Sequence, residues 1–221
     1  MLLPSQGKTE IAENLVKTLL AQKETDWRMF ALAAWLEWRA GRSVSYYLKE
    51  CFQRLADSAP DPNPRGLAWI DDLGGSPARA VEKYQFLNEI TLEALAWIQW
   101  GNQALQEKRP GEALEKYEKA ARLWKDIDFC GLALSRYRQA EACLQARDRK
   151  GAYKSLNDAL LLLEKSPAVL QAQPRAAIQQ ALTQLHNKNY SAWKAPRWQP
   201  FDDLGRIHFL FPLFARVEDR L

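Results

Sequence analysis

Between Leu95 and Lys165 the chain writes one arrangement of small residues twice. Ala113, Tyr117 and Ala120 recur 39 positions later as Ala152, Leu156 and Ala159, and Gly101 recurs as Ala140. A small residue followed by another twelve positions on, and by a third seven after that, describes two antiparallel helices pressed close together. Gly or Ala on the first helix lets the second approach. The two alanines of the second helix reciprocate, and the large residue between them fills the remaining space. A hairpin of this size cannot bury all of its own apolar surface, so it calls for stacked neighbours.

The rest of the chain reads as helix almost throughout. Residues 5–22 place Ile11, Leu15, Val16, Leu19 and Leu20 on one face after Ser5. Residues 25–40 carry Trp27, Phe30, Leu32, Ala34, Trp35 and Trp38, with Gly41 as a stop. A third helix follows Ser43 and runs to about Ala56, with Tyr47, Leu48, Cys51, Phe52 and Leu55 inward. Prolines and glycines then crowd residues 59–76, which cannot be helical throughout and act as a connection. Ser76-Pro77 restarts the helix as a cap followed by proline at the first helical position. The pattern continues to Lys108, as one extended helix or as one that bends near Asn88–Thr91. After the Arg109-Pro110-Gly111 turn, helices are expected over 111–125, 130–147, 150–165 and 168–187. No Asn-Gly or Asp-Gly hairpin turn is present, and the fold class is all-α. Four regions follow: amino-terminal helices (1–58), the connection (59–76), helical repeats (77–190) and an aromatic carboxy-terminal segment (191–221).

The residues of the first copy are Trp97-Ile98-Gln99-Trp100-Gly101-Asn102 and Arg109-Pro110-Gly111-Glu112-Ala113-Leu114-Glu115-Lys116-Tyr117-Glu118-Lys119-Ala120. With their small, aromatic and alanine positions in register, they resemble a tetratricopeptide repeat. The second copy is similar, with Ala140 where glycine is usual and Arg136 where a Trp-like residue is expected. Its period of 39 exceeds the ordinary repeat of about 34 residues. The hairpin at 25–56 reads either as a degenerate relative or as unrelated, since Tyr46 and Glu50 stand where alanine and an aromatic are wanted.

The resemblance implies a right-handed helical solenoid whose first helices line a partner-binding groove. It assigns to that groove Ile98, Asn102, Leu105 and Gln106, together with Tyr137, Glu141, Leu144 and Gln145. Amide side chains there would grip an extended peptide backbone. The competing reading packs Ile98, Leu105 and Leu144 against a neighbouring helix. Relatives that clamp a carboxylate terminus use a Lys/Arg and Asn constellation over three repeats, of which only Asn102 is matched.

The tryptophans divide in the same way. Trp27, Trp35, Trp38, Trp97, Trp100 and Trp124 fall at helical spacing and read as core, because an indole buries a large area. Trp69, Trp193 and Trp198 read as loop latches or exposed anchors. Trp193 and Trp198 precede the apolar run that holds Phe209 and Phe211. Such a segment either folds back as a cap or mediates self-association and docking.

Charge and composition narrow the function classes. The 221 residues carry a net charge of +4, from 31 basic and 27 acidic side chains. Basic and acidic residues interleave, as in Glu115-Lys116-Tyr117-Glu118-Lys119, which describes a solvated helix face rather than a phosphate-binding stripe. A nucleic-acid-binding repeat is therefore the most distant alternative. Cys51, Cys130 and Cys143 show no paired spacing and read as buried thiols of a cytoplasmic protein. No secretory signal is read at the amino terminus. No apolar run approaches the about 18 residues of a membrane span. His186 and His208 are the only histidines, no nucleophile or metal motif surrounds them, and no cofactor is expected. Gly7-Lys8-Thr9 lacks the upstream glycine of a phosphate loop, and Asp71-Asp72 and Asp202-Asp203 read as turn and cap residues.

The expected function is non-catalytic: an adaptor, scaffold or assembly factor that binds a protein segment in the helical groove. The alternative is a regulatory or structural subunit that self-associates or docks through its aromatic carboxy-terminal segment.

Overall fold

The computed structural model describes residues 14, 16, 18, 20–21, 27–39, 42–57, 64–166 and 172–186. Among these residues the secondary structure is entirely helical, and neighbouring helices pack in pairs. They form two compact units, one ending at Leu87 and one beginning at Asn88. The carboxy-terminal segment with Trp193, Trp198, Phe209 and Phe211 lies outside the described residues.

In the first unit, α1 (Trp27–Arg39) packs on α2 (Ser45–Asp57), and α3 (Pro64–Leu73) packs on α4 (Pro77–Phe86). Trp27, Phe30, Ala31 and Ala34 recur at helical spacing and are all buried, so they form the inward stripe of α1. On α2 the stripe is Leu48 and Cys51. Phe52 was expected inward but is 52% exposed, because one residue beyond Cys51 the helix has turned about 100° away from the core.

The Pro/Gly-rich stretch from 59 to 76 holds a ten-residue helix, α3. Pro64 opens it, at a position where the missing N–H would have no helical partner in any case. Trp69, 1% exposed, is a core residue on this helix rather than a surface latch. Gly75 ends the element with φ of 81°, while the N–H of Ser76 donates to the carbonyl of Asp71 at 2.8 Å. Asp71 then ties α3 to α4 through an ion pair with Lys83.

The helical pattern from Pro77 to Lys108 is two helices. α4 ends at Phe86 and α5 (Ile90–Gln106) begins after Asn88, whose φ is 54°. Asparagine tolerates that left-handed conformation better than most residues, and a helix cannot continue through it.

The second unit consists of two hairpins, α5 with α6 (Pro110–Trp124) and α7 (Phe129–Gln145) with α8 (Arg149–Leu163). α6 also packs on α7, and α9 (Ala172–His186) closes against α8. Both hairpins join a helix of 17 residues to one of 15. Their turns share one geometry. Lys108 and Arg147, 39 positions apart, have φ of 59° and 65°. In the first turn the N–H of Arg109 donates to Ala104 O (2.8 Å) and that of Lys108 to Leu105 O (3.1 Å). In the second, Asp148 donates to Cys143 O (2.8 Å) and Arg147 to Leu144 O (3.0 Å). The same two carbonyls of the last helical turn are satisfied in each hairpin.

The duplicated small residues are the packing centres. Ala113, Tyr117, Ala120, Ala140, Ala152, Leu156 and Ala159 are all fully buried. The Tyr117 ring lies directly on the backbone of Gly101. A methyl group built at Gly101 would come within 2.6 Å of Tyr117 Cδ1. Gly131 on α7 makes the same kind of approach to Trp124, where a methyl would come within 2.7 Å of Cε2. By contrast, a methyl at Gly111 meets nothing within 4 Å.

These two settings give substitutions of opposite sign. Gly101→Ala collides with a buried ring and should cost up to about 2 kcal/mol net, from about 1–3 kcal/mol of overpacking less an about 1 kcal/mol gain in helix propensity. Gly111→Ala should raise stability by up to about 0.5 kcal/mol, since only the propensity changes. Urea unfolding followed by circular dichroism measures both; equal shifts would show that Gly101 is not a contact point.

Candidate functional site

The first helices of the two hairpins carry the residues that the repeat resemblance assigns to a groove, and the structure sorts them by accessibility. Ile98 is 1% exposed and Tyr137 is fully buried, so neither offers side-chain surface to a ligand. Burial also pushes the Tyr137 hydroxyl well above the usual tyrosine range, with the Glu141 carboxylate adding to the effect. Glu141 is itself buried and held by Arg138 at 2.8 Å. Asn102 is half-buried and accepts a hydrogen bond from the Tyr117 hydroxyl at 2.9 Å, which sets its amide in place.

The accessible remainder is Leu105 and Gln106 on α5 with Leu144 and Gln145 on α7. All four sit in the last helical turns of their elements. The structure brings two of them together: Gln145 Nε2 donates to the carbonyl of Leu105 at 3.0 Å, joining α5 to α7. The surface that results combines half-buried leucines with exposed amides. It can seat a small apolar group and hydrogen-bond a backbone.

The other face of the first hairpin is an aromatic and cationic stack. The Trp97 and Trp100 rings lie 5.0 Å apart and 4° from parallel. Lys116 Nζ stands 4.3 Å above Trp100, and Lys119 Nζ stands 4.4 Å above Trp97. The Trp97 indole N–H donates to Glu93 at 3.1 Å. Lys116 is 8% exposed, and the ring faces offset part of the cost of desolvating its ammonium.

Arg136, where the second copy lacks the aromatic, answers that role with charge. Its Nη1 donates to Glu118 (3.0 Å) and to Gln139 (2.7 Å), and Gln139 in turn donates to Glu118 (2.9 Å). A three-residue polar tie thus joins α7 to α6 at the place where an indole would have packed.

Beside this tie a cleft of about 360 Å3 opens between α6, α7 and α8. Ala121, Leu132, Leu161 and Leu162 give it an apolar floor, and Arg122, Lys125, Arg136, Glu118 and Asp158 surround it. None of the expected groove residues lines it. One signal in the sequence could have found it: Leu160-Leu161-Leu162-Leu163 puts four leucines on consecutive positions of one helix, and no single face can bury them all. Leu163 is 1% exposed and Leu161 is 60% exposed.

Among the described residues no group of three or more His, Cys, Asp or Glu is placed to hold a metal ion. His186 is exposed at the end of α9. The cysteines are free and buried. Burial pushes the Cys130 thiol up to about 12, with the Asp128 charge adding and the Ser166 hydrogen bond opposing. Burial also raises Cys143, helped by Asp148. Among the described residues no helix is long and apolar enough to cross a membrane.

The chain was compared with protein-family models, curated proteins and solved structures. It matches none of them.

Two measurements check this account. Iodoacetamide at neutral pH should leave Cys51, Cys130 and Cys143 unlabelled in the native protein and label all of them after unfolding in guanidinium; rapid native labelling of Cys130 would contradict its raised pKa. A double-mutant cycle on Glu118→Ala and Arg136→Ala should give a coupling of about 0.2–1 kcal/mol, the range for solvent-accessible pairs, and zero coupling would show that the tie adds no stability.

Proposed function

We propose that the chain is a non-catalytic protein-binding module of the tetratricopeptide-like kind, acting as an adaptor or assembly factor. The observation that carries this reading is the register of the two hairpins. Matching helix lengths, matching turns and matching buried small residues recur at one 39-residue offset. Repetition of this sort builds a row of parallel first helices, and such a row is suited to an extended partner segment. A right-handed path of the repeats belongs to the same reading.

The period itself supports the comparison with a shorter repeat. The 17- and 15-residue helices, the turn at 107–109 and the connection at 125–128 together account for 39 positions. The excess over about 34 thus resides in helix length and connection, while the turn stays short. Longer first helices enlarge the binding row without altering its packing.

On this reading the partner contacts the accessible cluster Leu105, Gln106, Leu144 and Gln145, with Asn102 fixed behind it by Tyr117. Buried free thiols favour a reducing setting such as the cytoplasm.

The test replaces the accessible residues only, because changes at Ile98 or Tyr137 would perturb the core. Proteins that co-purify with the full chain should fall about tenfold in yield with Gln106→Arg and Leu144→Arg, while circular dichroism stays unchanged. Equal recovery on wild type and both variants would remove the groove assignment.

A further inference from the structure

The cleft between α6, α7 and α8 is a different surface from the α5–α7 groove. At about 100° per residue, Leu132 and Arg136 lie within about 40° of one another on α7. Tyr137, Glu141 and Leu144 centre about 130° further round the same helix. A ligand in one surface therefore leaves the other open.

Three properties distinguish the cleft from an ordinary solvated furrow. Its floor is apolar and incompletely covered, with Leu161 60% exposed and Leu162 lining the wall beside it. Its volume of about 360 Å3 falls within the about 300–1,000 Å3 of clefts that hold ligand-sized groups. Its charges are unequally satisfied. Glu118 is taken by Arg136 and Gln139, leaving Arg122 with a 3.7 Å contact to that same carboxylate while 76% exposed. Lys125 has no ion-pair partner among the described residues, nor has Asp158 on the α8 side.

We infer that this cleft docks a short amphipathic protein segment with large apolar anchors, acidic on the flank that faces α6. The leucines of α8 and Leu132 take the anchors. Arg122 and Lys125, both near the carboxy-terminal end of α6, take the acidic flank, and Asp158 selects a polar or basic side chain on the other. A basic segment would place its charge against Arg122 and Lys125 and lose that contact. This inference goes beyond the groove reading and uses none of its residues.

The experiment is selection of a random peptide-display library on the immobilised full chain, followed by fluorescence anisotropy with the enriched peptides. Enriched sequences should combine Leu, Phe or Met anchors spaced three or four residues apart with Asp or Glu on one flank. Their affinity should fall about tenfold on the Arg122→Glu/Lys125→Glu double variant and by a similar factor on Leu161→Asp. All three positions are exposed, so the far-ultraviolet circular dichroism of the folded state should be unchanged in both proteins.

Failure to enrich any peptide overturns the inference. So does enrichment of basic or uncharged sequences, or affinity that both variants retain. Peptides lost only on Gln106→Arg or Leu144→Arg would leave the groove reading standing and overturn this one. A concentration-dependent mass in sedimentation that both cleft variants abolish would assign the face to a second copy of the chain and overturn it as well.

Discussion

The ring of Tyr117 resting on the bare backbone of Gly101 sets the spacing of the first hairpin, and much of the second unit is arranged around it. Tyr117 is fully buried, yet its hydroxyl is satisfied by Asn102 one residue beyond that glycine. One side chain therefore supplies both apolar area and a directional bond, and it does so only if α5 carries no Cβ at the contact. The distance between α5 and α6 follows from that requirement. So does the room left for Ala113 and Ala120 on either side, since a larger residue at either position would force the helices apart around the ring. In the second hairpin the matching positions are Ala140 and Leu156, both fully buried.

The two copies diverge most where they meet. Trp124 closes on Gly131 across the α6–α7 junction, so another aromatic-on-glycine contact joins the hairpins as Tyr117 joins the two helices of the first. One hairpin-internal contact and one between hairpins thus use the same chemistry. The exchange of an indole for Arg136 alters the junction further along. An aromatic there would pack and seal. A guanidinium must keep its hydrogen bonds, and it takes Glu118 and Gln139 to do so. Its side chain remains partly exposed, and the wall of the cleft is polar as a result. The departure from the repeat pattern and the opening between α6, α7 and α8 occur at the same place.

The elements that sequence reasoning located well are those whose constraints are local. Alternation of small and large residues at helical spacing determines which faces of α5 to α8 turn inward, and Ala113, Ala120, Ala152 and Ala159 are buried accordingly. Helix ends were less legible where the stop is not glycine. Lys108 and Arg147 take left-handed backbone conformations that their side chains do not advertise, and the carbonyls they cap supply the reason. α3 was hidden for the opposite cause. Prolines and glycines read as breakers, but Pro64 occupies the first turn and Gly74-Gly75 follow the last, so both lie where helices accept them. The groove residues show a different limit. The resemblance identifies a face of α5 and α7, but Ile98 and Tyr137 are fully covered, and coverage depends on neighbours that a repeat pattern does not specify.

A helix flanked on both sides has little surface to give. α7 lies between α6 and α8, and most of its residues from Cys130 to Cys143 are buried. Beyond its first residue, Phe129, which is 43% exposed, it offers its carboxy-terminal turn, with Leu144 and Gln145, and the edge occupied by Leu132 and Arg136. Those two places lie on different sides of the helix and differ in character. The first is amide-rich and without formal charge, and suits a backbone. The second is leucine-floored, with Arg122 and Lys125 on its α6 side and Asp158 on its α8 side, and on the proposed reading suits a segment with an acidic flank. Because α7 is gripped by both neighbours, a shift imposed at one place must be absorbed by Gly131, Ala140 and the contacts around them, where packing leaves almost no free volume. On the two proposed readings, α7 contributes to two surfaces that differ in what they would recognise.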